Sequence, residues 1–224
     1  SQADLMKLLN PGYESETVGG SLYWNNQSGT CYNFDNNETT SCNFTSTGIK
    51  DKLKTLISDA VWNTGSNGSS HSYNNIKTEK FYELERSTNT GKMCTSGTFC
   101  TDIVERTTTW TGKVGLMYPS DYGYATSGGR TRDRATCLNT VLYRWHVSDC
   151  KNNDWLFNSS YQWTISPFAD SSSANYAFIV NSGGYVDSGY AYGYRAVRPV
   201  VYLTSNVKIS GGEGTSESPF SLEL

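Results

Sequence analysis

Six cysteines stand in three close pairs along the chain: Cys31 with Cys42, Cys94 with Cys100, and Cys137 with Cys150. Each pair is flanked by turn-forming residues, so the spacing predicts three local disulfides, each stapling one short loop. Other connectivities are open to six cysteines; pairing of neighbours is the expected one. Staples of this kind persist in oxidising compartments, which points to a secreted or cell-surface protein. The same cysteines do not read as a metal site. No C-x-x-C occurs, and the two histidines, His71 and His146, have no partner at ligand spacing. No metal and no cofactor is expected.

A chain of 224 residues is long enough to bury a core as one domain, or as one domain with an N-terminal extension. Its 36% hydrophobic and 17% charged residues exclude both a disordered acidic chain and a coiled coil. Sixteen Tyr and six Trp, set among many Ser, Thr, Asn and Gly, suit a β-rich domain with long ordered loops. The net charge of −3 and the lack of a basic run argue against nucleic acid as a partner. The one local cluster, Arg130, Arg132 and Arg134, is broken by Asp133 and reads as a solvated loop. No apolar stretch reaches the length of a membrane span, so attachment to a membrane would need a segment outside this sequence. Five N-x-S/T sequons (Asn26, Asn37, Asn43, Asn67, Asn158) matter only where the source glycosylates its secreted proteins.

Periodicity predicts a short first helix in "SQADLMKLLNPG", stopped by Pro11-Gly12. Leu22–Trp24 and Cys31–Phe34 read as strand pieces. The clearest helix is Ile49–Trp62, where Ile49, Leu53, Leu56, Ile57, Ala60 and Val61 recur on one stripe. "EKFYELERST" reads as a strand, and Ile103–Tyr118 as two strands turning near Thr111-Gly112-Lys113. "CLNTVLYRWHV" places Cys137, Leu138, Val141, Leu142 and Trp145 on one face of a second helix. Short strands follow in "YQWTISP", "YAFIVNSGGYV", "AVRPVVYL" and "VKISGGEGT", with Pro199 at a strand start, edge or bulge. A few helices followed mainly by short antiparallel strands make an α+β fold.

No catalytic constellation is present: no G-x-S-x-G, Walker A, Rossmann or H-E-x-x-H pattern. His146, close to Ser148 and Asp149, reads as structural, and Glu79, Glu83 and Glu85 read as a solvated strand face. The protein is expected not to be an enzyme. The stretch from Trp163 to Tyr194 stands apart. "ADSSSANYAF" and "VDSGYAYGY" mix Tyr with Ser, Gly, Ala, Asn and Asp. Tyr offers rigid contact area at low entropic cost, and Ser, Gly and Asn adapt their hydrogen bonding. Aromatic faces also stack on sugar C–H surfaces. Trp163, Ser172, Asn175, Tyr176, Phe178, Asp187, Tyr190, Tyr192 and Tyr194 are the candidate ligand contacts.

"WTISP" (Trp163–Pro167), "VNSGGYV" (Val180–Val186) and "AVRPVVYL" (Ala196–Leu203) together resemble a bacterial surface-protein family with a C-type-lectin-like fold. "GLMYPSDYGYA", "NNDWL" and the tail "VKISGGEGTSESPFSL" are similar to motifs of the same family, and the resemblance covers roughly residues 110–224. It implies an N-terminal extension or pilin-like segment over residues 1–48 and a lectin-like domain over 49–224. The V-R-P ending also resembles the G-F-R-P ending of retroelement-diversified variable proteins, whose variable residues precede that strand on the ligand-binding face. Carried onto this chain, these are Ser171–Ser173, Asn175, Tyr176, Phe178, Asp187–Tyr194 and Ala196; none is Lys, Glu, Gln, Met or Trp, the types that adenine mutagenesis of an AAC codon cannot reach. Formylglycine-generating enzymes share the ending, but their cysteine pair near that strand has no counterpart, since no cysteine follows Cys150. The family implies adhesion or ligand recognition, with a glycan or a host or bacterial surface protein as partner. Its pilin-like members imply the alternative of a filament subunit that assembles with itself.

Overall fold

The computed structural model describes residues 2–33, 38–64, 67–68, 73–86, 109–170, 173–214 and 217–223. Its centre is a four-stranded sheet made mostly from the last third of the chain, with helices and small hairpins packed on both faces.

The first helix forms as the sequence predicts, α1 (Gln2–Leu9), and ends where Pro11 is followed by Gly12 at φ +95°. Residues 20–26, expected to hold a strand at Leu22–Trp24, form turns instead, and these bury Trp24 beside Leu9. Strands β1 (Ser28–Tyr32) and β2 (Thr39–Asn43) pair as an antiparallel hairpin closed by the Cys31–Cys42 disulfide. The expected helix Ile49–Trp62 does not form. One turn, α2 (Asp51–Lys54), gives way to extended chain and then to β3 (Ala60–Asn63). Partners distant in sequence decide this: Thr204 N–H donates to Leu56 O, Ser58 N–H to Tyr202 O, and Ile57 bridges Leu203. Ile57, Val61 and Trp62 favour extended backbone, and in the strand Ala60–Asn63 Trp62 turns into the core while Val61 faces solvent.

After β4 (Asn67–Gly68) comes the reverse substitution. The expected strand around residues 79–88 is the helix α3 (Thr78–Glu85), which buries Thr78, Phe81 and Glu85 at helical spacing. Strands β5 (Thr109–Gly112) and β6 (Val114–Leu116) break at Lys113 near the expected turn, but they form no hairpin with each other; β5 pairs with β3. The helix α4 (Pro119–Tyr124) follows directly. The expected helix in "CLNTVLYRWHV" is broken into α5 (Arg134–Leu138), a 3-10 turn over Leu142–Arg144, and α6 (Trp145–Ser148). Cys137, Leu142 and Trp145 still reach the core, and Cys137 is joined to Cys150. Cys94 and Cys100 lie outside the described residues.

The chain then lays down β7 (Gln162–Asp170), β8 (Ser173–Val180) and β9 (Val186–Tyr190), giving the sheet order β4-β7-β8-β9. Strand β10 (Pro199–Val201) begins at Pro199, as its missing N–H requires, and pairs with β6. The hairpin of β11 (Lys208–Gly211) and β12 (Ser221–Glu223) ends the described chain. One sheet face carries Trp163, Ile165, Ala177 and Ile179 into a core with Leu9, Trp24, Ile57 and Trp62. The other carries Phe178, Val180 and Val186 into a second core with Phe81, Tyr122, Leu142 and Trp145. Leu9 and Trp24, from before position 49, pack into this first core. Asn10 makes the join: its Nδ2 donates to Val114 O at 2.9 Å and its Oδ1 accepts from Lys113 and Val114 N–H. The fold is α+β, with helices, small antiparallel sheets and two disulfides among the described residues.

Candidate functional site

Register across the sheet explains how the tyrosines come together. Phe168, Tyr176 and Tyr190 are directly opposed on β7, β8 and β9, so their side chains share one face. Tyr176 and Tyr190 lie 4.4 Å apart between ring centroids, and Tyr190 stacks with Tyr192 at 4.9 Å with planes 19° apart. The row starts at the core, where Phe168 meets Phe178 edge-on at 5.2 Å, and leaves the protein at Tyr192. Exposure rises along it: Phe178 is 0% exposed, Tyr190 43% and Tyr192 56%.

The loop beyond β9 is held from several sides. Gly193 N–H donates to Tyr190 O, closing a turn with Tyr192 in its third position. Ala196 is pinned to β7, donating to Tyr161 O at 2.7 Å and accepting from Trp163 N–H at 3.0 Å. Between these points Arg195 folds under the loop. Its guanidinium lies 4.8 Å from the Tyr161 ring centroid and 5.8 Å from that of Trp163, and it donates to Tyr194 O. A Cβ on Gly193 would come within about 3 Å of that guanidinium, so the glycine is what lets the arginine sit there. Tyr194, 58% exposed, reaches across to the β1–β2 hairpin and donates from its hydroxyl to Asn33 Oδ1 at 3.2 Å.

Of the nine expected contacts, Tyr176, Tyr190, Tyr192 and Tyr194 are thus on or beside one surface, and Asp187 is half-buried on the opposite sheet face, its carboxylate accepting from Ser188 N–H. Two are buried. Phe178 is a core residue packed on Phe81 and Phe168, and Trp163, 6% exposed, supports the loop from beneath through Arg195. Ser172 lies outside the described residues, and of Asn175 only its place in β8 is described.

Arg198 holds the backbone beside β7: Nε donates to Gln162 Oε1 and a terminal nitrogen to Leu156 O. His146 lies on the surface against Tyr185, 4.6 Å between ring centroids. Asp149, in left-handed backbone at φ +58°, accepts from Arg130 N–H, Thr131 N–H and the Thr131 hydroxyl, and so organises the arginine loop.

Glu85 departs most from expectation. Instead of a solvated acid on a strand it is a fully buried acid on a helix. One oxygen accepts from Ser120 N–H at 3.0 Å and the other from the Ser120 hydroxyl and from Arg86, so the carboxylate caps the N-terminus of α4. Burial pushes its pKa up to about 7, against the lowering effect of these bonds. The Thr78, Phe81, Glu85 spacing was the signal that would have revealed it. Comparison with protein-family models, with curated proteins and with solved structures finds no match to the chain, so its function is argued from these residues and their geometry.

Proposed function

We propose that the protein is a non-enzymatic recognition domain of a secreted or cell-surface bacterial protein, with a C-type-lectin-like scaffold that binds a glycan or a surface protein through the Tyr190–Tyr194 loop. The observation that carries this reading is the ring row that begins at half-buried Phe168, packed on core Phe178, and continues through Tyr176 and Tyr190 to exposed Tyr192. Rings held by stacking and by a closed turn present contact area with little entropy left to lose, which is what a binding surface needs. The oxidised Cys31–Cys42 and Cys137–Cys150 pairs, and the lack of a helix long and apolar enough to span a membrane among the described residues, are compatible with a place outside the cell. A glycan and cell-surface-protein array probed with the native domain and with Tyr192→Ala tests the reading. Spots bound by the native protein and lost or weakened at least about tenfold in the variant are expected for a central aromatic contact; equal binding by both would remove the loop from the site.

One observation favours a filament subunit as the second reading. The C-terminal hairpin of β11 and β12 is exposed along its whole length, with Ile209 opposite Leu222 and Phe220 beside them. A two-stranded hairpin that buries neither face is marginal alone and gains from a neighbouring subunit. Sedimentation of native material as polymers, together with silence on the array, would favour it.

A further inference from the structure

Trp155 is 73% exposed, while Trp24, Trp62, Trp145 and Trp163 are buried and Trp110 is half-buried. It does not stand on a loose loop. Its two neighbours, Asp154 and Leu156, are both buried. Asp154 Oδ1 accepts from Leu156 N–H at 2.9 Å, Phe157 N–H donates to Asp154 O, and Asp154 pairs backbone with Thr126. Leu156 O accepts from both Gln162 Nε2 and Arg198, and Asn153 O accepts from the backbone and hydroxyl of Ser127. This turn uses a buried carboxylate, a buried amide and a guanidinium to fix the backbone on either side of one side chain that faces water.

Nothing in the packing calls for that outcome, because burying an indole is among the largest apolar gains a side chain offers. The surroundings indicate what the ring meets. Asn152, Asn153 and Asn158 are exposed on the same stretch, and the nearby charges are occupied: Lys151 donates to Gly183 O and lies over the Phe157 ring, and Asp154 is inside. An exposed indole in a stretch with three exposed carboxamides suits a neutral polyhydroxylated ring, which offers an apolar C–H face to the indole and hydroxyls to the amides.

We propose that the Trp155 turn is a carbohydrate-binding site, separate from the Tyr190–Tyr194 loop, for a pyranose of β-gluco configuration, whose axial C–H bonds form one apolar face. It does not depend on the tyrosine loop being a binding surface. The test is acrylamide quenching of tryptophan fluorescence, which reports mainly on Trp155 because four of the other tryptophans are buried and Trp110 is half-buried. The probes are cellohexaose and chitohexaose, with an α-1,6-mannohexaose control, each to about 10 mM, well above the range of weak single-site binding. Quenching reduced by about half with either β-linked sugar, not with the mannan control, and absent in Trp155→Ala is the expected result. The same protection is expected in Tyr192→Ala. Quenching unchanged by both β-linked sugars overturns the site, as does protection that survives in Trp155→Ala. Because Trp155 is exposed, its variant is expected to unfold at the native midpoint, and that measurement confirms that lost protection is not lost folding.

Discussion

Two buried acids set how single residues make this fold respond to pH. Glu85 beneath α4 and Asp154 beneath the Trp155 turn both titrate near 7 in the folded protein, each raised chiefly by burial from ordinary values of 4.5 and 3.8. Between those ordinary values and about 7 the folded state holds a proton that the unfolded chain has released. Stability from these groups is therefore present in full below about pH 4 and lost as pH rises through 7. For Glu85 the range from 4.5 to about 7 corresponds to about 3 kcal/mol as an upper figure. Unfolding free energy measured in urea is expected to fall between pH 5 and pH 8, and Glu85→Gln to flatten that fall, with Asp154→Asn flattening part of the remainder. A native profile that rises over this interval would contradict the burial of both acids. Glu85 was signalled only by its helical spacing from Thr78 and Phe81, and Asp154 by nothing, since a carboxylate that bonds the backbone of its own turn looks the same in one dimension as a solvated one. The tyrosines were easier, because Tyr among Gly and Ser in a turn has little to pack against.

At the scale of elements, the two described staples do different work. Cys31–Cys42 closes a hairpin whose strands are exposed at nearly every position and which touches the Tyr190–Tyr194 loop through Asn33. Cys137–Cys150 is fully buried in the second core. Replacing both cysteines of the first pair by serine is expected to raise hydrogen exchange in residues 28–43 and leave β7 and β8 protected, as local opening requires. The same change in the second pair is expected to cost about 2–5 kcal/mol of global stability. Equal losses for both pairs would contradict the division. Both pairings were legible because the partners are close in sequence, as was α1 with its Pro-Gly stop. Helix and strand exchanged places at residues 49–62 and 78–85 for one reason: short apolar runs satisfy either period, and partners about 140 residues away decided the first case.

The whole molecule is a sheet with a core on each face, and its tyrosine row leaves the second core for solvent at the end of β9. That course could not be read from the chain, because it depends on which residues of β7, β8 and β9 stand opposite one another. Trp163 and Phe178 stood with the expected contacts by composition and, for Phe178, by resemblance, and the pleat put both inside. What remains outside, Tyr190, Tyr192 and Tyr194, is held by stacking, by Arg195 and by the hairpin, and these are the rings we propose for binding. The most direct test is array binding by the native domain and by the Tyr190→Ala/Tyr192→Ala/Tyr194→Ala variant, side by side at matched concentration, with unfolding midpoints checked first. The account predicts midpoints within a few degrees, as for surface substitutions, with binding by the native protein alone. A variant that fails to fold, or one that binds as the native domain does, would contradict it.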